Sequence, residues 1–155
     1  MVFSAAEKSS FGEIKVLVVD DEYRVRKVIR GLLLALNCTK IHEARNGVEA
    51  LEQIVVLAPD VVLLDWTLPD MTGPEFFRRL HSSLPAHVAT APVIMLVEQD
   101  QRACVLEAVR LGVHEFLLKP VSMTALRERL ASVLAKSLAV KRAHEAARQL
   151  RKAAG

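Results

Sequence analysis

The sequence predicts one α/β domain, a three-layer arrangement with a five-stranded parallel sheet, helices on both faces and an extended C-terminal helix. Three observations carry this expectation. Five short apolar runs alternate with segments of helical periodicity, the pattern of repeated βα units joined by right-handed crossovers. The runs at residues 61–64 and 93–97 are continuously apolar, as strands covered on both faces must be. The length, 155 residues, suits a single domain that buries enough core to fold without a disulfide or a metal.

The elements follow in order. The first strand is predicted at residues 14–19 (IKVLVV) and ends at the paired acids Asp20 and Asp21. A helix over 22–36 comes next, because Val25, Val28, Ile29, Leu32, Leu33 and Leu36 recur at three- and four-residue spacing. Residues 40–44 form a short, polar second strand expected near a sheet edge, and Asn46-Gly47 marks a turn. A second helix over 48–57 is stopped by Pro59. The third strand, 60–64, runs into Asp65; after a loop with Pro69, Asp70 and Gly73, Pro74 opens a helix to about Leu80. Residues 82–91, rich in Ser, Pro and Ala, read as a long connection. The fourth strand spans 93–97, a helix over 102–111 ends at Gly112, and the fifth strand, 115–118, leads into Lys119-Pro120. Ser122 caps a final helix reaching about Leu150. The chain has no internal repeat and no low-complexity segment.

Residues 1–12 are polar and small and are expected to be a flexible N-terminal segment, residues 13–135 the folded domain, and residues 136–155 a basic helical extension. There is no apolar leader and no run long enough to span a bilayer, so no membrane partner is expected and the protein is expected in the cytoplasm. Cys38 and Cys104 sit in apolar stretches without metal-ligand spacing and read as core residues in a reducing compartment. His42, His81, His87, His114 and His144 are scattered, with no ligand spacing. The net charge is +3, but Lys136, Lys141, Arg142, Arg148, Arg151 and Lys152 face Glu145 alone in the tail, so the body is mildly acidic. The tail has no interleaved aromatics and no helix-turn-helix follows, so no DNA-binding domain is predicted. Val140, Ala143, Ala147, Leu150 and Ala154 form a short heptad-like seam, which points to a homodimer through the C-terminal helix; a frayed, solvated tail is the alternative.

In parallel α/β sheets, sites form at the carboxyl ends of the strands. Here those ends carry Asp20, Asp21, Asp65, Val97, Glu98 and Lys119. Three carboxylates in one pocket repel one another, and a hard divalent cation with oxygen ligands, Mg²⁺ rather than zinc, resolves the repulsion. A carboxylate beside Mg²⁺ and a lysine is equipped for phosphoryl transfer, because the cations neutralise the oxygens of the transferred group. Taken singly, Asp20-Asp21 reads as a helix cap, Asp65 as a turn residue and Lys119 as a solvated lysine; their joint occurrence at successive strand ends favours the site. Trp66 and Met71 read as packing residues beside it, with Trp66 also a candidate gate.

The strings VLVVDDE (16–22), PDVVLLDWTLPDMTG (59–73), APVIML (91–96) and GVHEFLLKP (112–120) resemble bacterial response-regulator receivers, and the resemblance covers roughly residues 13–135. It implies a flavodoxin-like (βα)5 fold with strand order 2-1-3-4-5 and a stand-alone response regulator, a phosphoacceptor rather than an enzyme in the ordinary sense. By this resemblance Asp65 accepts a phosphoryl group from a sensor histidine kinase or a phosphotransfer protein. Asp21 is a direct Mg²⁺ ligand, Asp20 acts largely through water, and the backbone carbonyl of Thr67 completes the protein's share of the shell. Lys119 binds a phosphoryl oxygen, Pro120 brings a cis Lys–Pro bond, Phe116 is the aromatic switch position, and the output goes to a downstream protein partner.

Two neighbouring positions depart from the family pattern. Val97 stands where receivers usually carry Ser or Thr, and Glu98 where the next residue is usually small. Valine cannot donate a hydrogen bond to a phosphoryl oxygen. Two other readings therefore stand beside the first. One is a degenerate receiver that acts as a binding or dimerisation module without phosphorylation. The other is a hydrolase with an aspartyl-phosphate intermediate, which Thr67 opposes because it cannot serve as the general acid two residues after the nucleophile.

Overall fold

The computed structural model describes residues 11–113 and 115–155. Five parallel strands, β1 (Lys15–Val19), β2 (Lys40–Ala44), β3 (Val61–Asp65), β4 (Val93–Val97) and β5 (Glu115–Leu118), form one sheet in the order β2-β1-β3-β4-β5. The connecting helices are α1 (Tyr23–Ala35), α2 (Gly47–Leu57), α3 (Gly73–Ser83), the single turn α4 (Ala86–Ala89) and α5 (Arg102–Arg110), which follows a 3₁₀ turn at Gln99–Gln101. The last helix, α6, runs unbroken from Met123 to Ala154. Its Ser122 side chain accepts the Ala125 N–H, the expected cap. The expected fold class and strand order are those observed.

Alternation along the strands divides the core into two layers. Leu17, Val19, Val62, Leu64 and Met95 pack with Ile54 of α2 and Phe76, Phe77 and Leu80 of α3. Val16, Val18, Leu63, Ile94, Leu96 and Leu117 pack with Ile29 and Leu33 of α1 and Leu126, Leu130 and Val133 of α6. β3 and β4 are buried along their whole length, the property their continuously apolar sequences require. Edge strand β2 is only partly buried.

Three expectations are corrected. Asn46-Gly47 is not a free turn: Asn46 is the N-cap of α2 and its side chain accepts the Glu49 N–H at 2.8 Å. Residues 82–91 are not wholly irregular, since Pro85 precedes the turn of helix α4, whose Val88 and Ala89 are buried. The flexible segment expected at residues 1–12 ends too late. Phe11 is 3% exposed within the α1–α6 layer, so the core includes it; residues 1–10 lie outside the described residues.

The second half of α6 has no core to meet. Val133 is the last residue of the helix that is fully buried, and Val140 and Leu150 are 55% and 71% exposed. What fixes the first half to the sheet, besides its leucines, is Glu115 of β5. Its carboxylate accepts from Ser132 at 2.8 Å and Lys136 at 2.9 Å, with Arg129 at 3.5 Å. Burial raises the Glu115 pKa, but Lys136, Ser132 and Arg129 outweigh it and hold the group below the usual glutamate value. Among the described residues no helix is long and apolar enough to cross a membrane.

Candidate functional site

Parallel register brings the strand ends to one rim. Val19 lies opposite Leu64, Asp65 opposite Leu96, and Val97 opposite Leu118. The ladder runs one step further at each end: Asp20 N–H donates to Ala44, Trp66 N–H to Leu96 and Lys119 N–H to Val97. Period-two alternation then sorts the side chains. Asp20, Asp65 and Lys119 each stand two residues after a residue of the α1–α6 layer (Val18, Leu63 and Leu117) and so fall on that face. Val97 falls on the other.

The three charged groups meet. The Lys119 Nζ is 2.8 Å from Asp20 Oδ2 and 3.1 Å from Asp65 Oδ1. Asp20 is fully buried, Asp65 is 6% exposed, and Asp21 lies at the surface. One oxygen from each of Asp20, Asp21 and Asp65 lies within 4.8 Å of the others. Asp20 does not cap α1. Its Oδ1 accepts the Glu22 N–H at 2.9 Å, and Glu22, which precedes the helix, makes no side-chain cap bond. The Lys119–Pro120 bond is cis.

Electrostatics makes the pocket unequal. Burial and the neighbouring Asp20 carboxylate push the Asp65 pKa from 3.8 to about 6, against the opposing pull of Lys119. For Lys119, burial alone would lower the pKa, but its bonds to Asp20 and Asp65 outweigh burial and raise it, so the ammonium keeps its proton. One ammonium thus serves two buried carboxylates. Asp20 Oδ2, though in ion-pair range of Lys119, accepts no well-directed hydrogen bond. A buried carboxylate oxygen whose one nearby cation is shared with Asp65, in an all-oxygen set of three acids, fits a hard divalent cation such as Mg²⁺.

The remaining predicted residues divide. Thr67 is in the loop after β3, its N–H 3.5 Å from Asp65 Oδ1. Val97 is 4% exposed and packs in the α2–α3 layer, against which Phe116 is also packed. Glu98 is exposed; it is the N-cap of the 3₁₀ turn and lines an open cleft with Glu22, Lys119 and Pro120. Trp66 and Met71 are packing residues, 7% and 5% exposed. Trp66 lies against Gly73, where an added Cβ would come within 2.9 Å of the ring, and Met71 covers Gly47, where a Cβ would come within 2.4 Å of its sulfur.

Three residues that serve the site were not singled out from sequence. Arg26 is buried in α1; it donates to the Asp20 carbonyl at 2.7 Å and pairs with Glu43 of β2 at 3.1 Å. Its signal was available, because Arg26, Ile29 and Leu33 share one face of the helix, and a charge on that buried face needs a partner. Asp70 accepts the N–H groups of Gly47 and Val48 at 2.8 and 2.9 Å, so it ties the loop after β3 to the first turn of α2. Burial raises its pKa, and these backbone donors bring it below the usual value. Gln101 donates from Nε2 to Thr67 Oγ1 at 2.9 Å, and no spacing rule reveals that bond.

Residues 16–131 match the model of the response regulator receiver domain. The chain belongs to this family. The receiver is 34% identical over 122 residues to the chemotaxis protein CheY1 of Helicobacter pylori, covering 78% of this chain and 97% of that one. It is 32% identical over 122 residues to the CheY homolog of Campylobacter jejuni, covering 78% and 92%. Among solved structures it is similar to CheY4 of Vibrio cholerae, with TM-score 0.68 at 28% identity over 77% of this chain and 98% of that one. The receiver domain of AraT from Geobacillus stearothermophilus superposes with TM-score 0.71 at 31% identity, over 83% and 98%. The matched span stops at residue 131, about a quarter of the way along the 32-residue α6, so the exposed second half of that helix lies outside it.

The raised pKa has a sign that can be tested. Without metal, the folded receiver holds the Asp65 proton more tightly than the unfolded chain does, so stability falls as pH rises from about 4 to about 6 and stays lowered above that. Asp65→Asn removes the conflict. In chelator at neutral pH it should stabilise the receiver by on the order of 1–3 kcal/mol, and the gain should fade below about pH 4. Urea unfolding across this range checks it; a variant no more stable than wild type at neutral pH would show that the carboxylates are not in conflict.

Proposed function

We propose that this receiver takes a phosphoryl group onto Asp65 from a phosphohistidine of a sensor histidine kinase or phosphotransfer protein and signals through contacts with a downstream protein. The observation that carries the reading is one buried carboxylate at the end of β3 with an ammonium 3.1 Å away and two further carboxylates grouped around it. An Asp65 oxygen attacks phosphorus, the P–O bond forms and the P–N bond breaks. The imidazole leaves with the electron pair and takes a proton from solvent. Lys119 keeps its ammonium against the oxygens of the incoming group. Asp20, Asp21, Asp65 and the Thr67 carbonyl would hold Mg²⁺, which when bound neutralises charge on those oxygens. Arg26 fixes the Asp20 backbone from behind.

Val97 favours a second reading, the degenerate receiver, because a buried valine offers the phosphoryl group no donor. Incubation with a small phosphodonor and Mg²⁺, followed by intact-mass analysis, separates the two. We expect one added phosphoryl group in wild type and none in Asp65→Asn, which keeps the shape but is not a nucleophile. No adduct in wild type supports the binding module, an adduct that persists in Asp65→Asn puts the acceptor elsewhere, and release of phosphate over many turnovers supports the hydrolase.

The domain division proposed with this reading is a receiver body over residues 13–135, to which the buried Phe11 adds, and an extension over residues 136–155. The face of the extension with Val140, Ala143, Ala147, Leu150 and Ala154, exposed except for the half-buried Ala147, is the proposed homodimer seam. Light scattering at high micromolar concentration should give a dimer for the full chain and a monomer after truncation at Ser137, which keeps the Lys136 bond to Glu115. A monomeric full chain would reject the seam.

A further inference from the structure

The loops after β3 and β4 are joined by one side chain. Gln101, the last residue of the 3₁₀ turn, donates its amide to Thr67 Oγ1 at 2.9 Å. Its own Oε1 accepts the Glu98 N–H at 3.0 Å, and its backbone N–H returns to the Glu98 carbonyl at 3.0 Å. The side chain is therefore held at both ends. Thr67 is held as well: it stands two residues after Asp65 and bridges to Thr72, the N-cap of α3. On its other side Gln101 adjoins Arg102, the first residue of α5, and α5 presents Leu106 and Val109, 60% and 38% exposed, to solvent.

Within this frame the bond from Thr67 N–H to Asp65 Oδ1 is slack, at 3.5 Å. An ordinary N–H···O bond is about 2.9 Å, and one to an ionised oxygen is shorter. A phosphoryl group on Asp65 presents new charged oxygens to that nearest N–H. Closing the gap shifts Thr67 by several tenths of an ångström, and Gln101 either follows or loses its bond. Val97 offers no hydroxyl for a parallel response, and its side chain lies in the opposite core layer.

We infer that Gln101 is the positioning residue that couples the loop after β3 to α5, so that a change at Asp65 reaches the exposed α5 surface through Thr67 and Gln101 rather than through Val97. This rests on the reading of Asp65 as the acceptor. A relayed shift is converted to a discrete change because packed elements have few alternative arrangements.

The test uses the full chain with beryllofluoride and Mg²⁺ as a stable phosphoryl mimic, with uptake read by fluorine NMR and the response read as backbone amide shift changes. In wild type the Arg102, Ala103 and Leu106 amides should move on uptake while Phe116 moves little. Gln101→Met keeps length and removes the amide; it should take up beryllofluoride as wild type does and lose most of the α5 shift. Thr67→Val removes the acceptor from the other side and should lose the same α5 shift, with the double variant losing no more than either single one. Should Gln101→Met fail to fold, Thr67→Val decides alone. A full α5 shift in the folded variants, or uptake by wild type without any α5 shift, overturns the inference and leaves Asp65 standing. No uptake by wild type overturns the Asp65 reading and the inference with it.

Discussion

One lysine ammonium set between two buried carboxylates is the interaction on which the rest depends. Lys119 reaches Asp20 and Asp65 because β1, β3 and β5 end at the same level on the same face of the sheet. A one-residue slip of any strand would send its charged residue to the other face. The apolar strands that enforce the register therefore also set the site. β3 and β4 are buried on both sides, so slippage would expose or misplace several large side chains at once.

Elsewhere the molecule satisfies its charged side chains locally, the buried Glu115 and Arg26 and the exposed Asp70 alike. Glu115 has three donors from α6, Asp70 has two backbone N–H groups, and Arg26 has the Asp20 carbonyl and Glu43. At the rim the balance is different, because acids outnumber the lysine and Asp65 is pushed toward neutrality. A site left short of positive charge is one that binds a cation and then tolerates an anionic phosphoryl group. The shortage lies at the strand ends, where Asp21 reaches the surface and the proposed cation and phosphodonor would enter.

Much of this was legible in the sequence. Strand runs such as VLVV and VVLL are continuously apolar and alternate with helical periodicity, as strands covered on both faces do, and acids at their ends have no apolar reason to be there. The positions of Asp20, Asp65 and Lys119 at successive strand ends therefore point to the cluster. What stayed hidden depends on side chains that cross between loops. Asn46 looks the same in a turn and at an N-cap, and only the Glu49 N–H distinguishes them. Arg26 could have been found, as a charge on a buried helix face. Gln101 could not, because its partner Thr67 is 34 residues away and neither residue carries a pattern. The departure at Val97 was legible as chemistry, but the face on which it packs follows from the pairing of β4 with β5.

The central claim is that the rim is short of positive charge and is completed by a hard cation. Thermal melts with and without saturating Mg²⁺ test it most directly. A cation bound only by the folded state stabilises by mass action, about 2.7 kcal/mol at a hundredfold excess over its dissociation constant. For wild type the account predicts an upward shift of the midpoint by several degrees, absent in Asp21→Ala. An unchanged wild-type midpoint at saturating Mg²⁺, or an equal shift in Asp21→Ala, would contradict it.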